Sequence, residues 1–129
     1  MELLVEVSVG EVIDKITILE IKERRISDPG KLANVRAELA TLNGTLDGVL
    51  RPTPELDRLR RELHDINAAL WDIEDEIREC EAAGDFGPRF IELARAVYFT
   101  NDRRAAVKKQ INLTVGSRLV EEKSYAGSL

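Results

Sequence analysis

Between Pro54 and Ala83 the apolar residues recur at alternating steps of three and four. Leu56, Leu59, Leu63, Ile66, Leu70, Ile73, Ile77 and Cys80 make one narrow stripe on a helix of roughly 40 Å. That is the pattern of a helix shaped to pack on another helix. Beside the stripe runs a second line, Asn67, Trp71, Glu74 and Arg78, with one aromatic set among an amide, an acid and a base. The helix therefore carries a greasy seam and a polar-aromatic seam next to it.

The flanking segments repeat the helical pattern. Glu2 to Val7 (ELLVEV) alternates loosely and predicts a short extended arm over 2–7. A lone strand needs a partner, so the arm lies along the body or pairs with its copy in another subunit. Ser8-Val9-Gly10-Glu11 reads as a capping box that opens helix one, about 9–26. Val9, Val12, Ile13, Ile16, Leu19 and Ile26 form its stripe, while Ile18 and Ile21 lie off it. A helix apolar on more than one side is a central helix or a subunit interface. Ser27-Asp28-Pro29-Gly30 supplies an N-cap Asp and a Pro at the first helical position.

Helix two, about 29–50, carries Leu32, Val35, Leu39, Leu42, Leu46 and Val49, with Gly44 and Gly48 weakening its far end. Arg51-Pro52-Thr53-Pro54 separates it from helix three, about 54–83. Two heptad stripes joined so closely predict an antiparallel helical hairpin whose seam is the main stabilising contact. Gly84 to Pro88 opens helix four, about 88–114, which stops at Gly116-Ser117 ahead of a polar tail over 117–129. Its best-phased stripe is Phe90, Ala94, Val97, Asn101, Arg104, Lys108, Ile111 and Val115, apolar at the ends and polar in the middle. The expected architecture is all-α: a coiled-coil-like four-helix bundle forming a single domain over 1–129.

Composition narrows the partners. The 129 residues are 33% charged and 5% aromatic, with a formal net charge of −5. A negative chain without a basic block and interleaved aromatics is not expected to bind nucleic acid. Cys80 is the single cysteine, so no intramolecular disulfide forms, and it reads as a small seam hydrophobe. No apolar run approaches the roughly 20 residues of a membrane span, and the N-terminus lacks a basic start with a cleavage site. No membrane partner and a cytoplasmic location are expected.

Counting residues about the Gly84 turn puts Asn101 and Arg104 level with Asn67 to Trp71. Asn67, Trp71, Glu74, Arg78, Asn101 and Arg104 then form one mid-bundle belt, with Lys108 a turn away. Helix one can add Asp14, Lys15 or Glu20. Buried charges must be paired, so such a belt has a reason. One reason is register: polar residues in a seam fix which helices pair. The other is a pocket for an anion or metabolite, with Trp71 as its wall. As a register device, the belt predicts that Arg104→Met keeps or improves stability.

Other constellations are thinner. Asp72, Asp75, Glu76 and Glu79, or Glu11 with Asp14, could hold Mg²⁺ as in nucleotide hydrolases, although a charge run of this kind is usually a solvated face. The single histidine, His64, excludes a di-iron set and an ordinary zinc site, and reads as a surface residue. No phosphate loop or dinucleotide fingerprint occurs, and neither a cofactor nor a metal is expected.

Several segments together carry a resemblance: VSVGEVIDKITILEIK, LWDIEDEIRECE, GDFGPRFIELARAVYFTNDRR and EEKSY. They are similar to a small family of bacteria and their viruses, domain of unknown function 6165, over nearly the whole chain. That resemblance implies one domain and transfers no activity, cofactor or catalytic residue. It fits the view that Asp14, Lys15, Trp71, Asp75, Arg78, Asn101, Asp102 and Arg104 are more than surface charge. The functional expectation is a helical bundle acting through self-association as a homodimer, and through contact with another protein. The alternative is a binder of a small anion or nucleotide, or a Mg²⁺-dependent hydrolase, built on the belt.

Overall fold

Local capping chemistry sets the helix ends. The computed structural model describes residues 1–126 and contains four helices: α1 (Val9–Arg25), α2 (Pro29–Asp47), α3 (Pro54–Ala83) and α4 (Pro88–Val115). The side chains of Ser8, Asp28 and Thr53 accept from the third backbone N–H beyond each, satisfying donors that a helix start leaves free. Gly84 ends α3 and Gly116 ends α4, both in the left-handed region that favours glycine. Two hydroxyls, Thr41 and Thr45, bond back to carbonyls one turn earlier, and α2 stops at Asp47 near Gly44 and Gly48. Among the described residues there is no strand, and no helix is long and apolar enough to cross a membrane.

Packing is centred on α1. It lies against α2, α3 and α4, and α3 lies along α4, whereas α2 makes no close backbone approach to α3. The hairpin expected between helices two and three is therefore replaced by two others, α1 with α2 and α3 with α4. A heptad stripe states which face is apolar but is silent on which helix covers it. The off-stripe residues of α1 follow from its central place: Ile21 is 3% exposed, and Ile18 is half-buried.

The main core gathers Ile13 and Ile16 of α1, Leu46 of α2, Leu56, Leu59, Leu63 and Ile66 of α3, and Val107 and Ile111 of α4. Each such side chain contributes about 1.5–3 kcal/mol by leaving water. All these α3 residues precede Asn67, so the core sits at one end of the long hairpin. From Leu70 round the Gly84 turn to Phe99, only Leu93 is buried. Cys80, free and half-buried, belongs to that lightly packed part.

The two ends of the chain are extended. Residues 1–7 are exposed, and Glu6 pairs with Arg118 at 2.7 Å. The segment after Gly116 runs back beside α4, where Glu121 reaches Lys108 at 3.0 Å and Glu122 reaches Lys109 at 3.0 Å. Residues 127–129 of the expected tail lie outside the described residues.

Candidate functional site

The first two turns of α1 meet three successive turns of α4 through polar groups. Gly10 N donates to Asn112 Oδ1 at 2.7 Å, Lys108 Nζ pairs with Glu11 at 2.7 Å, and Arg104 closes on Asp14. The order 10, 11, 14 against 112, 108, 104 makes the helices antiparallel and spells out a ladder. Glycine is required on its first rung. A Cβ at residue 10 would sit 2.6 Å from the Lys108 carbonyl oxygen and 2.9 Å from Asn112 Oδ1. Glu11, expected to reach back over the helix start, turns to Lys108 instead, because a partly buried ammonium is the stronger partner.

Asp14 is the centre of the ladder, at 1% exposure. Its Oδ1 accepts from Arg104 Nε at 2.9 Å and from Asn67 Nδ2 at 2.9 Å, its Oδ2 accepts from Arg104 Nη2, and Lys108 Nζ stands 3.8 Å away. Asn67 also donates to Thr17 Oγ1 at 2.9 Å, and that hydroxyl donates to the Asp14 carbonyl at 2.8 Å. Burial pushes the Asp14 carboxyl up, but hydrogen bonds from Arg104 and Asn67, with the charges of Arg104 and Lys108, outweigh it. The carboxyl is held below its ordinary value. Burial likewise favours neutral Lys108, yet Glu11, Glu121 and Asp14 raise its pKa above the usual lysine value. Among the described residues, every buried side-chain nitrogen and oxygen has a partner.

Beside the ladder, α1, α3 and α4 enclose an open cleft of about 420 Å³. Ile18, Ile21, Leu70 and Trp71 form its apolar wall, and Asn67, Glu74, Asp75, Arg78, Asn101 and Arg104 bring polar groups to it. Six residues placed level by counting along the sequence thus share one cavity. Asp14 lies beneath it, behind Arg104. Lys108 belongs to the neighbouring polar recess with Glu11 and Glu121. Lys15 is not at the cleft; it is exposed and faces Glu38 of α2 at 3.9 Å. Glu20 likewise goes elsewhere, to Arg60 at 3.4 Å.

Arg104 spends Nε and Nη2 on Asp14, which leaves Nη1 with one long contact, 3.5 Å to Asn101 Oδ1. Arg78, Glu74 and Asp75 have no ion-pair partner among the described residues. The Arg25 guanidinium carbon stands 5.9 Å from the Trp71 ring centroid and pairs with Asp72. Glu76 is taken by Arg89 at 2.7 Å. Asp72 and Glu76 therefore go to separate cations, and no three His, Cys, Asp or Glu side chains converge as a metal site among the described residues.

Four members of the ladder escape the sequence reading. Thr17 and Asn112 had a signal, since Thr17 follows Asp14 by three and Asn112 continues the four-residue step 104, 108, 112. Gly10 was visible only as part of a cap. Glu121 sits in a segment without periodicity, and nothing in the sequence links it to Lys108.

No curated protein and no solved structure matches the chain. The profile of the family of unknown function DUF6165 matches residues 3–129, which is nearly all of it. The chain belongs to that family.

Proposed function

We propose that the protein is a non-enzymatic association module that pairs with a second copy of itself through its N-terminal arm. The observation that carries this reading is the arm itself. Leu3, Leu4, Val5 and Val7 are 81%, 102%, 73% and 48% exposed, a run of apolar residues that an isolated chain gains nothing by presenting to water. The arm's own Val5 and Val7 form one side of an open apolar recess completed by Val9, Val12, Leu46, Val49 and Leu119. Arg118 at its rim already attracts Glu6. Two copies exchanging arms cover both runs and close the assembly on a two-fold axis. Light scattering at tens of micromolar (about the range where a standard interface holds) is expected to return a dimer. Deleting residues 2–7 should return a folded monomer. A full-length monomer at that concentration contradicts the proposal.

A second reading, a small-molecule binder, has its own support in the cleft, where Trp71 and partly free polar groups line one cavity. A thermal-shift screen with anionic metabolites, nucleotides and zwitterions tests it, because a ligand that binds the native state raises its melting temperature.

A further inference from the structure

We propose that the cleft between α1, α3 and α4 takes a free α-amino acid with an apolar or aromatic side chain. Its carboxylate would meet Arg104 and Asn101, and its ammonium would meet Glu74 and Asp75. The proposal rests on the small-molecule reading and adds the chemical class of the ligand.

Charge decides the class. The cleft and the carboxylate behind it hold two cations, Arg78 and Arg104, against three anions, Asp14, Glu74 and Asp75. A polyanion such as a nucleoside triphosphate would add its charge to a site already in excess of carboxylate. A bare cation would leave the arginine and amide donors without an acceptor. A zwitterion satisfies both sides, donors to its carboxylate and carboxylates to its ammonium.

Preorganisation favours the Arg104 end. Asp14 holds two nitrogens of the planar guanidinium in a fixed fork, so little side-chain freedom is lost when Nη1 meets a ligand oxygen. Asn101 already accepts from Nη1 at its Oδ1, which leaves its amide nitrogen as a donor beside it. Size and wall complete the fit. About 420 Å³ lies near the small end of ligand cavities, and Ile18, Ile21, Leu70 and Trp71 offer contact to one apolar side chain.

Trp71 is the sole tryptophan and serves as a built-in reporter. Phenylalanine and leucine are titrated while indole emission is excited at the red edge of its band, where neither ligand absorbs. The expected result is a saturable change in emission with both. N-acetylphenylalanine and phenylalaninamide, each lacking one charge, should bind at least about tenfold more weakly. Asn101→Ala and the pair Glu74→Gln with Asp75→Asn should weaken phenylalanine by a similar factor, whereas exposed Lys15→Ala should leave it unchanged. These variants are half-exposed or exposed and spare the ladder, so they keep the fold. Should N-acetylphenylalaninamide bind as well as phenylalanine, the charge pairing is overturned. If ATP or inorganic phosphate raises the melting temperature while amino acids do nothing, the class is wrong and the small-molecule reading survives. No response to any of these ligands ends both.

Discussion

Replacing Arg104 by methionine asks what the buried carboxylate of Asp14 is worth without its guanidinium. The substitution deletes the two hydrogen bonds from Nε and Nη2 and leaves Asp14 with Asn67 and with Lys108 at 3.8 Å. Hydrogen bonds to charged groups contribute about 1.5–3 kcal/mol each, and stripping one partner from a fully buried pair costs about 3–5 kcal/mol. Arg104 keeps 29% of its side chain in solvent and Lys108 stays nearby, so the lower part of that range applies, about 2–4 kcal/mol. For a domain of this size that corresponds to roughly 10 °C in Tm. Urea unfolding followed by Trp71 emission and circular dichroism measures it.

The loss should depend on pH. In the native protein Asp14 titrates below its unfolded value, so its contribution is present above that value and disappears as pH falls through the native pKa. Without Arg104 the largest lowering influence is gone and burial dominates, so the variant is penalised at neutral pH and relieved as Asp14 takes up a proton. The gap between the two proteins should narrow toward about pH 4. The double variant Asp14→Leu with Arg104→Met should recover most of the loss, since it removes both charges together. Read as a register device, the belt predicts that Arg104→Met keeps or improves stability, whereas Asp14 at 1% exposure predicts a loss. An Arg104→Met protein as stable as the parent at pH 7 refutes the reasoning.

Other perturbations separate the parts of the molecule. Gly10→Ala drives a methyl into the Lys108 carbonyl and should cost at least about 2 kcal/mol in urea unfolding, because backbone rather than a flexible side chain must move. Leu63→Ala, at 0% exposure, should lose about 2–5 kcal/mol, and the larger end of that range would mean that the core fails to collapse into the gap. Glu121→Gln leaves Lys108 with Glu11, so it should change global stability by less than about 1 kcal/mol. It should nevertheless speed proteolysis of the tail.

What could be read from the sequence was local. Ser8, Asp28 and Thr53 announce helix starts, Gly84 and Gly116 announce stops, and three-and-four spacing settles the all-α class, because each signal acts within one or two turns. The level of Asn101 and Arg104 with Asn67 and Trp71 also followed from counting about a single turn. Pairing between distant helices did not follow. The stripe of α2 is as regular as that of α3, yet α2 spends it on α1, since nothing in a heptad names its partner. Asp14 shows the same limit inside the site. Its neighbours Ile13 and Ile16 mark a buried face, but its partners lie 53 and 90 positions away along the chain. Glu121 is the extreme case, since contacts made by an extended segment leave no periodic trace.

The uneven burial along the long hairpin has a mechanical meaning. At one end α3 and α4 are gripped by neighbours on several sides; at the Gly84 end they grip only each other. The molecule is a handle with a free tip, and amide hydrogens near the tip will trade with solvent long before those at Leu59 or Ile111. Adding or trimming whole turns on both sides of Gly84 would change its reach and leave the grip untouched.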